Sequence, residues 1–167
     1  MKTKYQIIDI SNWFLCKEKM NQNKLHKLCY YAYAWYLFLN NNSSSNLKTC
    51  LFENDFEAWV HGPMSKSLNS KYPFTFGYGP EKLEPKGNMT KLDDSTIEFL
   101  EELYGVFKDF TGNELEAMTR MELPWKNARG NLDPWEPGTT IISNEDMYKQ
   151  CALLSNTKDR KRKEQKQ

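Results

Sequence analysis

The sequence predicts a mainly α fold, a compact helical domain with one short β-hairpin. Three observations lead there. Apolar residues recur three and four apart in several separate stretches, capping residues stand at the heads of those stretches, and period-two alternation is confined to residues 50–60.

Taken in order, Ile7, Ile10, Trp13 and Phe14 share one helical face and predict a first helix over about residues 6–18. Asn21 then stands as N-cap of the strongest pattern, in which Leu25, Leu28, Ala32, Trp35 or Tyr36, and Leu39 follow one another at helical spacing. Tyr30, Tyr31, Leu37 and Phe38 occupy its other faces, so this helix is expected at the centre, contacted from several sides. The polar run Asn40 to Asn46 ends it. Cys50-Leu51-Phe52 and Phe56 to Val60 flank Glu53-Asn54-Asp55, which predicts the hairpin. Pro63 suits the first position of a short helix over Met64 to Tyr72. The stretch from Pro73 to Lys91 reads as a loop. Asp93-Asp94-Ser95 opens a long helix carrying Ile97, Leu100, Tyr104 and Phe107, with Phe99, Leu103, Val106 and Phe110 beside them. Thr111 and Glu114 form a capping box for the next helix, which Pro124 is expected to stop. A loop with Gly130, Pro134, Pro137 and Gly138 follows, and Ser143 caps a last helix with Met147, Tyr148, Cys151 and Leu154 on its apolar side.

The 167 residues suit one core, and aromatics at 14% compensate for an apolar share of only 39%. The reading places one domain at residues 1–155 and a basic, disordered tail at 156–167. Residues 158–167 carry a net +4 of the total +1, which leaves −3 for residues 1–157. A near-neutral body argues against a nucleic-acid groove, because such affinity comes from neutralising several phosphates. The alternative reading is a phage-associated nucleic-acid-binding accessory protein that uses the basic tail.

Cys16, Cys29, Cys50 and Cys151 are scattered, and Met1-Lys2-Thr3-Lys4-Tyr5 lacks the apolar region of a secretory leader. The expectation is reduced thiols in a cytoplasmic protein. The stretch Leu28 to Leu39 is about half the roughly 20 residues a membrane span needs, so no membrane partner is expected.

Catalytic signals are weak. With two histidines, His26-x-x-Cys29 offers at most two ligands, so no metal is expected. There is no nucleophile elbow and no paired Cys/His signature. Gly77-Tyr78-Gly79-Pro80 lacks the third glycine of a phosphate loop, and Pro80 removes a donor, so no cofactor is expected. Glu114, Glu116 and Glu122 read as a solvated acidic face. His61, between Trp59-Val60 and Gly62-Pro63, either locks a corner through a hydrogen bond or faces a partner. Trp125 and Trp135 lie in or beside the long loop, and tryptophan is enriched at binding hot spots.

Three blocks carry a resemblance. Asn23-Lys24-Leu25-His26-Lys27-Leu28-Cys29-Tyr30-Tyr31-Ala32-Tyr33-Ala34-Trp35-Tyr36-Leu37, then Phe56-Glu57-Ala58-Trp59-Val60-His61-Gly62-Pro63-Met64, then Glu122-Leu123-Pro124-Trp125-Lys126-Asn127-Ala128-Arg129, resemble the Panacea domain family, also called SocA-like or GepA. The resemblance spans residues 5–150, and Glu57-Ala58-Trp59 with His61-Gly62-Pro63 is its most specific part. It implies a bacterial or prophage-borne, mostly helical antitoxin that binds a cognate protein toxin directly and, in one branch, delivers it to a protease. Two positions depart from the pattern: Arg120 stands where many relatives have a histidine, and His26 where glutamine is common. The first departure lowers the enzyme reading further.

The leading reading is thus a binding module that carries out no covalent chemistry. Its contact surface is expected from Trp59, His61, Gly62, Pro63, Arg120, Glu122, Trp125, Arg129 and Trp135, since loops carry binding residues while the helical aromatic stripes are core.

Overall fold

The computed structural model describes residues 1–73 and 82–166. The Gly77-Tyr78-Gly79-Pro80 stretch, with the rest of residues 74–81 of that loop, lies outside the described residues. A two-residue strand, β1 (Lys2–Thr3), leads to α1 (Ile7–Lys17), where Asp9 accepts the Gln6 amide at 2.9 Å and fixes the start. The central helix, α2 (Gln22–Leu39), begins where Asn21 accepts the Lys24 amide at 2.9 Å. It ends in the asparagine run, where Asn40 and Asn41 turn their side-chain amides back onto the carbonyls of Tyr36 and Leu37.

The hairpin is displaced from its expected position. β2 (Thr49–Cys50) pairs in parallel with β1, and the antiparallel pair is β3 (Phe56–Trp59) with β4 (Gly62–Ser65), joined by Val60 and His61. Asn54 accounts for the shift. Its side chain donates to the Ile142 carbonyl and to Asn144 at 2.8 and 2.9 Å, and accepts the Phe56 amide at 3.0 Å. The Glu53-Asn54-Asp55 segment is thereby tied to a distant part of the chain instead of closing a turn between neighbouring strands. Pro63, expected to open a helix, lies in β4 opposite Ala58. The Ala58 N–H points the other way, to the Thr140 carbonyl at 3.0 Å, so the donor that proline lacks removes no bond between β3 and β4. The short helix starts later, as α3 (Lys66–Lys71), with Ser65 accepting the Leu68 amide.

Asp93 caps α4 (Asp94–Phe107), and the Thr111/Glu114 box caps α5 (Gly112–Met121), both as the sequence reads. Pro124 does not end a helix: it stands in the first turn of α6 (Leu123–Arg129), where a missing N–H leaves nothing unpaired. α5 has already ended at Met121, because Glu122 turns to an extended conformation with ψ 150. Ser143 caps α7 (Asn144–Glu164), which carries on as exposed helix through 156–164, the stretch read from sequence as disordered. Asp159 and Lys163 stand four apart there, and Lys161, Arg162 and Lys163 complement the negative end of the helix dipole.

Every residue from Gln22 to Ala34 is buried, and α1, α4, α5, α7 and β4 pack around that segment. The apolar side is held by large rings, with Tyr31 stacked on Phe107 at 4.5 Å and Tyr30 edge-on to Phe56 at 5.4 Å. The chain is thus mainly α with a single antiparallel hairpin among the described residues, and none of the described helices is long and apolar enough to cross a membrane. The second stripe of α4 is only partly core: Val106 and Phe110 are exposed, and Val106 lines a shallow apolar groove of about 180 Å³ with Trp35, Leu39 and Phe99.

Candidate docking site

The hairpin corner is built on the polar side of α2. Gly62 has φ +89, and a Cβ there would lie 2.9 Å from Thr119 Oγ1 and 3.0 Å from Lys27 Cε, so the position demands glycine on both counts. Lys27 is fully buried beneath it, with Nζ donating to Asn23 Oδ1 at 2.8 Å and contacting Met64 Sδ at 3.4 Å. Burial pulls this amine down to about 7, against the attraction of Glu116. The Asn23 amide donates to Glu116 Oε2 at 3.0 Å, and Glu116 Oε1 lies 3.1 Å from His61 Nδ1 and 3.6 Å from Arg120 Nη1. The His61 imidazole therefore fastens the hairpin turn to α5.

The neighbouring block braces the same corner from below. Trp125 is buried, with the guanidinium carbons of Arg120 and Arg129 each 5.5 Å from its ring centre. Its indole N–H donates to the Trp59 carbonyl at 2.8 Å. Trp59 in turn donates its indole N–H to Glu57 Oε2 at 2.8 Å. Arg129 is also buried and donates to the Ala58 carbonyl at 3.2 Å and the Asp133 carbonyl at 2.7 Å. Glu122 accepts the Tyr31 hydroxyl at 2.9 Å, and burial pushes its carboxyl up to about 7 while that hydrogen bond opposes the shift.

From this base the chain presents Trp135. The Glu136 amide bonds the Asp133 carbonyl at 3.0 Å and the Asp133 amide bonds Glu136 Oε2 at 3.3 Å, while Arg129 holds the same Asp133 carbonyl. Trp135 stands at the tip of that pinned turn, between two prolines, and is 82% exposed. A rigid, solvated indole is the kind of side chain that releases water on docking at little entropic cost.

The nine residues expected at the contact surface thus divide. Trp59, His61, Gly62, Pro63, Arg120, Glu122, Trp125 and Arg129 come together around the corner, but Gly62, Pro63, Trp125 and Arg129 are buried and build it, and only Trp135 stands fully in solvent. Glu116 and Glu122, read as part of a solvated face, turn inward to His61 and Tyr31; Glu114 stays out as the capping-box acid. Lys27 went unnoticed in sequence because a lysine amid an apolar helix gives no sign of its depth. The one hint was Asn23, four residues earlier and on the same face.

His26 accepts the Ser65 amide through Nδ1 at 3.1 Å, so its ring proton sits on Nε2, and burial holds it neutral well below the usual range. Burial pushes the thiols of Cys29 and Cys151 up, away from the reactive thiolate. Among the described residues no three His, Cys, Asp or Glu side chains gather where a metal would be held.

Together these features define a mainly helical domain with a braced hairpin corner. A family model described as the antitoxin SocA-like, Panacea domain matches residues 25–126, from α2 to the middle of α6, and the chain belongs to that family. Membership gives it a role of the toxin–antitoxin type. Comparisons with curated proteins and with solved structures returned no match.

Proposed function

We propose that this chain is the antitoxin of a toxin–antitoxin pair and neutralises a cognate protein toxin by direct binding, without chemistry of its own. The toxin is held against the surface that runs from the His61 corner to the Trp135 turn. The observation that carries this reading is the pinned, 82% exposed Trp135, joined through Arg129 to the corner. The Lys27 amine under the corner supports binding over turnover, since it is fully enclosed by packing instead of opening onto a cleft.

The test is co-expression with the protein encoded by the neighbouring reading frame. Growth is arrested by that protein alone, restored by the chain, and arrested again when the chain carries Trp135→Ala. Purified together, the two proteins co-elute. A pulse-chase of the toxin separates two routes: a stable toxin level means sequestration, and a shortened lifetime means delivery to a protease. Failure of the native chain to restore growth or form a complex overturns the reading.

A further inference from the structure

On the side of β3 away from β4, residues 139–142 run alongside as an additional extended segment. Ala58 N–H bonds the Thr140 carbonyl at 3.0 Å, Ile142 N–H bonds the Phe56 carbonyl at 2.8 Å, and Ile141 forms an antiparallel bridge with Glu57. In such a ladder, hydrogen-bonding groups face the two sides on alternate residues. The inward bonds fall on Thr140 and Ile142, so the N–H and C=O groups of Thr139 and Ile141 face away from β3. Among the described residues neither has a main-chain partner. An open edge of this kind is a template for one more strand.

We infer that this edge receives an extended segment of the toxin as an added antiparallel or parallel strand, an inference that rests on the docking reading above. The edge dictates the occupant's backbone, because only an extended chain offers donors and acceptors at the matching repeat. The flanking side chains dictate its residues. Ile141 is 47% exposed and Trp135 82%, which asks for apolar side chains on the occupant. Asp133 and Glu136 on the same turn are exposed and make no ion pair among the described residues, which asks for lysine or arginine beside it. Pro137 precedes the edge and keeps it short, so the added strand pairs over Thr139 to Ile141 alone.

Ile141→Pro tests this directly, because it deletes an outward N–H and leaves both inward bonds in place; proline is tolerated at such an edge position. With the protein from the neighbouring reading frame as probe, Ile141→Pro is expected to weaken binding roughly tenfold or more, as a lost backbone bond strands its partner acceptor. Ile141→Val keeps the N–H and a β-branched side chain, and weakens binding far less than Ile141→Pro. Amide hydrogen exchange on the unmodified chain gives the second reading: the Thr139 and Ile141 amides exchange fast in the free protein and slow in the complex. That measurement decides alone if the proline variant misfolds. Unchanged exchange at both amides, with Trp135→Ala still weakening binding, overturns the added strand and leaves the docking reading standing. Full binding by Ile141→Pro and by Trp135→Ala overturns both.

Discussion

The indole N–H of Trp125 donates to the main-chain carbonyl of Trp59 at 2.8 Å, across 66 residues of sequence. This bond joins the first turn of α6 to the end of β3. Trp125 is therefore a foundation of the corner, and through Arg129 and Asp133 it supports the turn that displays Trp135.

Trp125→Phe keeps most of the ring but leaves the Trp59 carbonyl without its donor, and should cost about 1–3 kcal/mol. Trp125→Ala should cost about 3–5 kcal/mol, because it also opens a cavity under the corner. Urea unfolding followed by fluorescence and circular dichroism checks both. Native stability in the phenylalanine variant would show that the bond is incidental.

Gly62→Ala should cost more than Gly87→Ala, although both glycines have positive φ. At Gly87, φ +77, nothing lies within 4 Å of an added Cβ, so only backbone strain of about 1 kcal/mol is expected. At Gly62 the methyl also meets Thr119 and Lys27, and crowding adds about 1–3 kcal/mol. Equal melting temperatures for the two variants would contradict the packing at the corner.

Stability should pass through a minimum near neutral pH as far as Glu122 and Lys27 decide it. Glu122 has a folded value raised from 4.5 to about 7, so the folded state holds an extra proton between these values and stability falls as pH rises through them. Lys27 has a folded value lowered from 10.5 to about 7, so the unfolded state binds the extra proton and stability climbs as pH rises from about 7 toward 10.5. Melting temperatures from pH 4.5 to 10.5 should show the acid limb flattened by Glu122→Gln and the alkaline limb flattened by Lys27→Met. If Glu122→Gln flattens only the alkaline limb, the assignment of the two groups is wrong.

Trp135→Ala should lower affinity for the toxin by about 30-fold, near the ~2 kcal/mol threshold of a binding hot spot. Its melting temperature should match the native chain, since the side chain is 82% exposed. Calorimetric titration beside thermal unfolding separates the two effects. A lower melting temperature with intact affinity would make Trp135 a structural residue.

Much of the helical framework was legible because its signals are local. Asn21, Asp93, Thr111 and Ser143 each cap the helix their neighbourhood predicts, since a cap needs only a side chain and the amide three residues on. The strand pairing was not legible for the opposite reason. Whether Cys50 pairs forward with β3 or back with Lys2–Thr3 depends on Asn54 finding Ile142 and Asn144, some 90 residues away in sequence. Pro63 and Pro124 show the same limit: each permits a strand or a helix start, and the position of a partner chooses.

By itself the sequence determined the class of fold, the central place of α2, and a family signature with the Glu57-to-Met64 block at its heart. Capping, periodicity and turn chemistry act within a few residues and are written in order along the chain. Only the tertiary structure decided which residues of that block are architecture and which are presented. Lys27 beneath Gly62, Glu116 against His61 and Trp125 beneath Trp59 are meetings between distant segments, and burial that arises there removes a side chain from any partner's reach whatever its chemistry. Trp135 keeps its reach because two prolines and the Arg129 bond hold its turn out from the body.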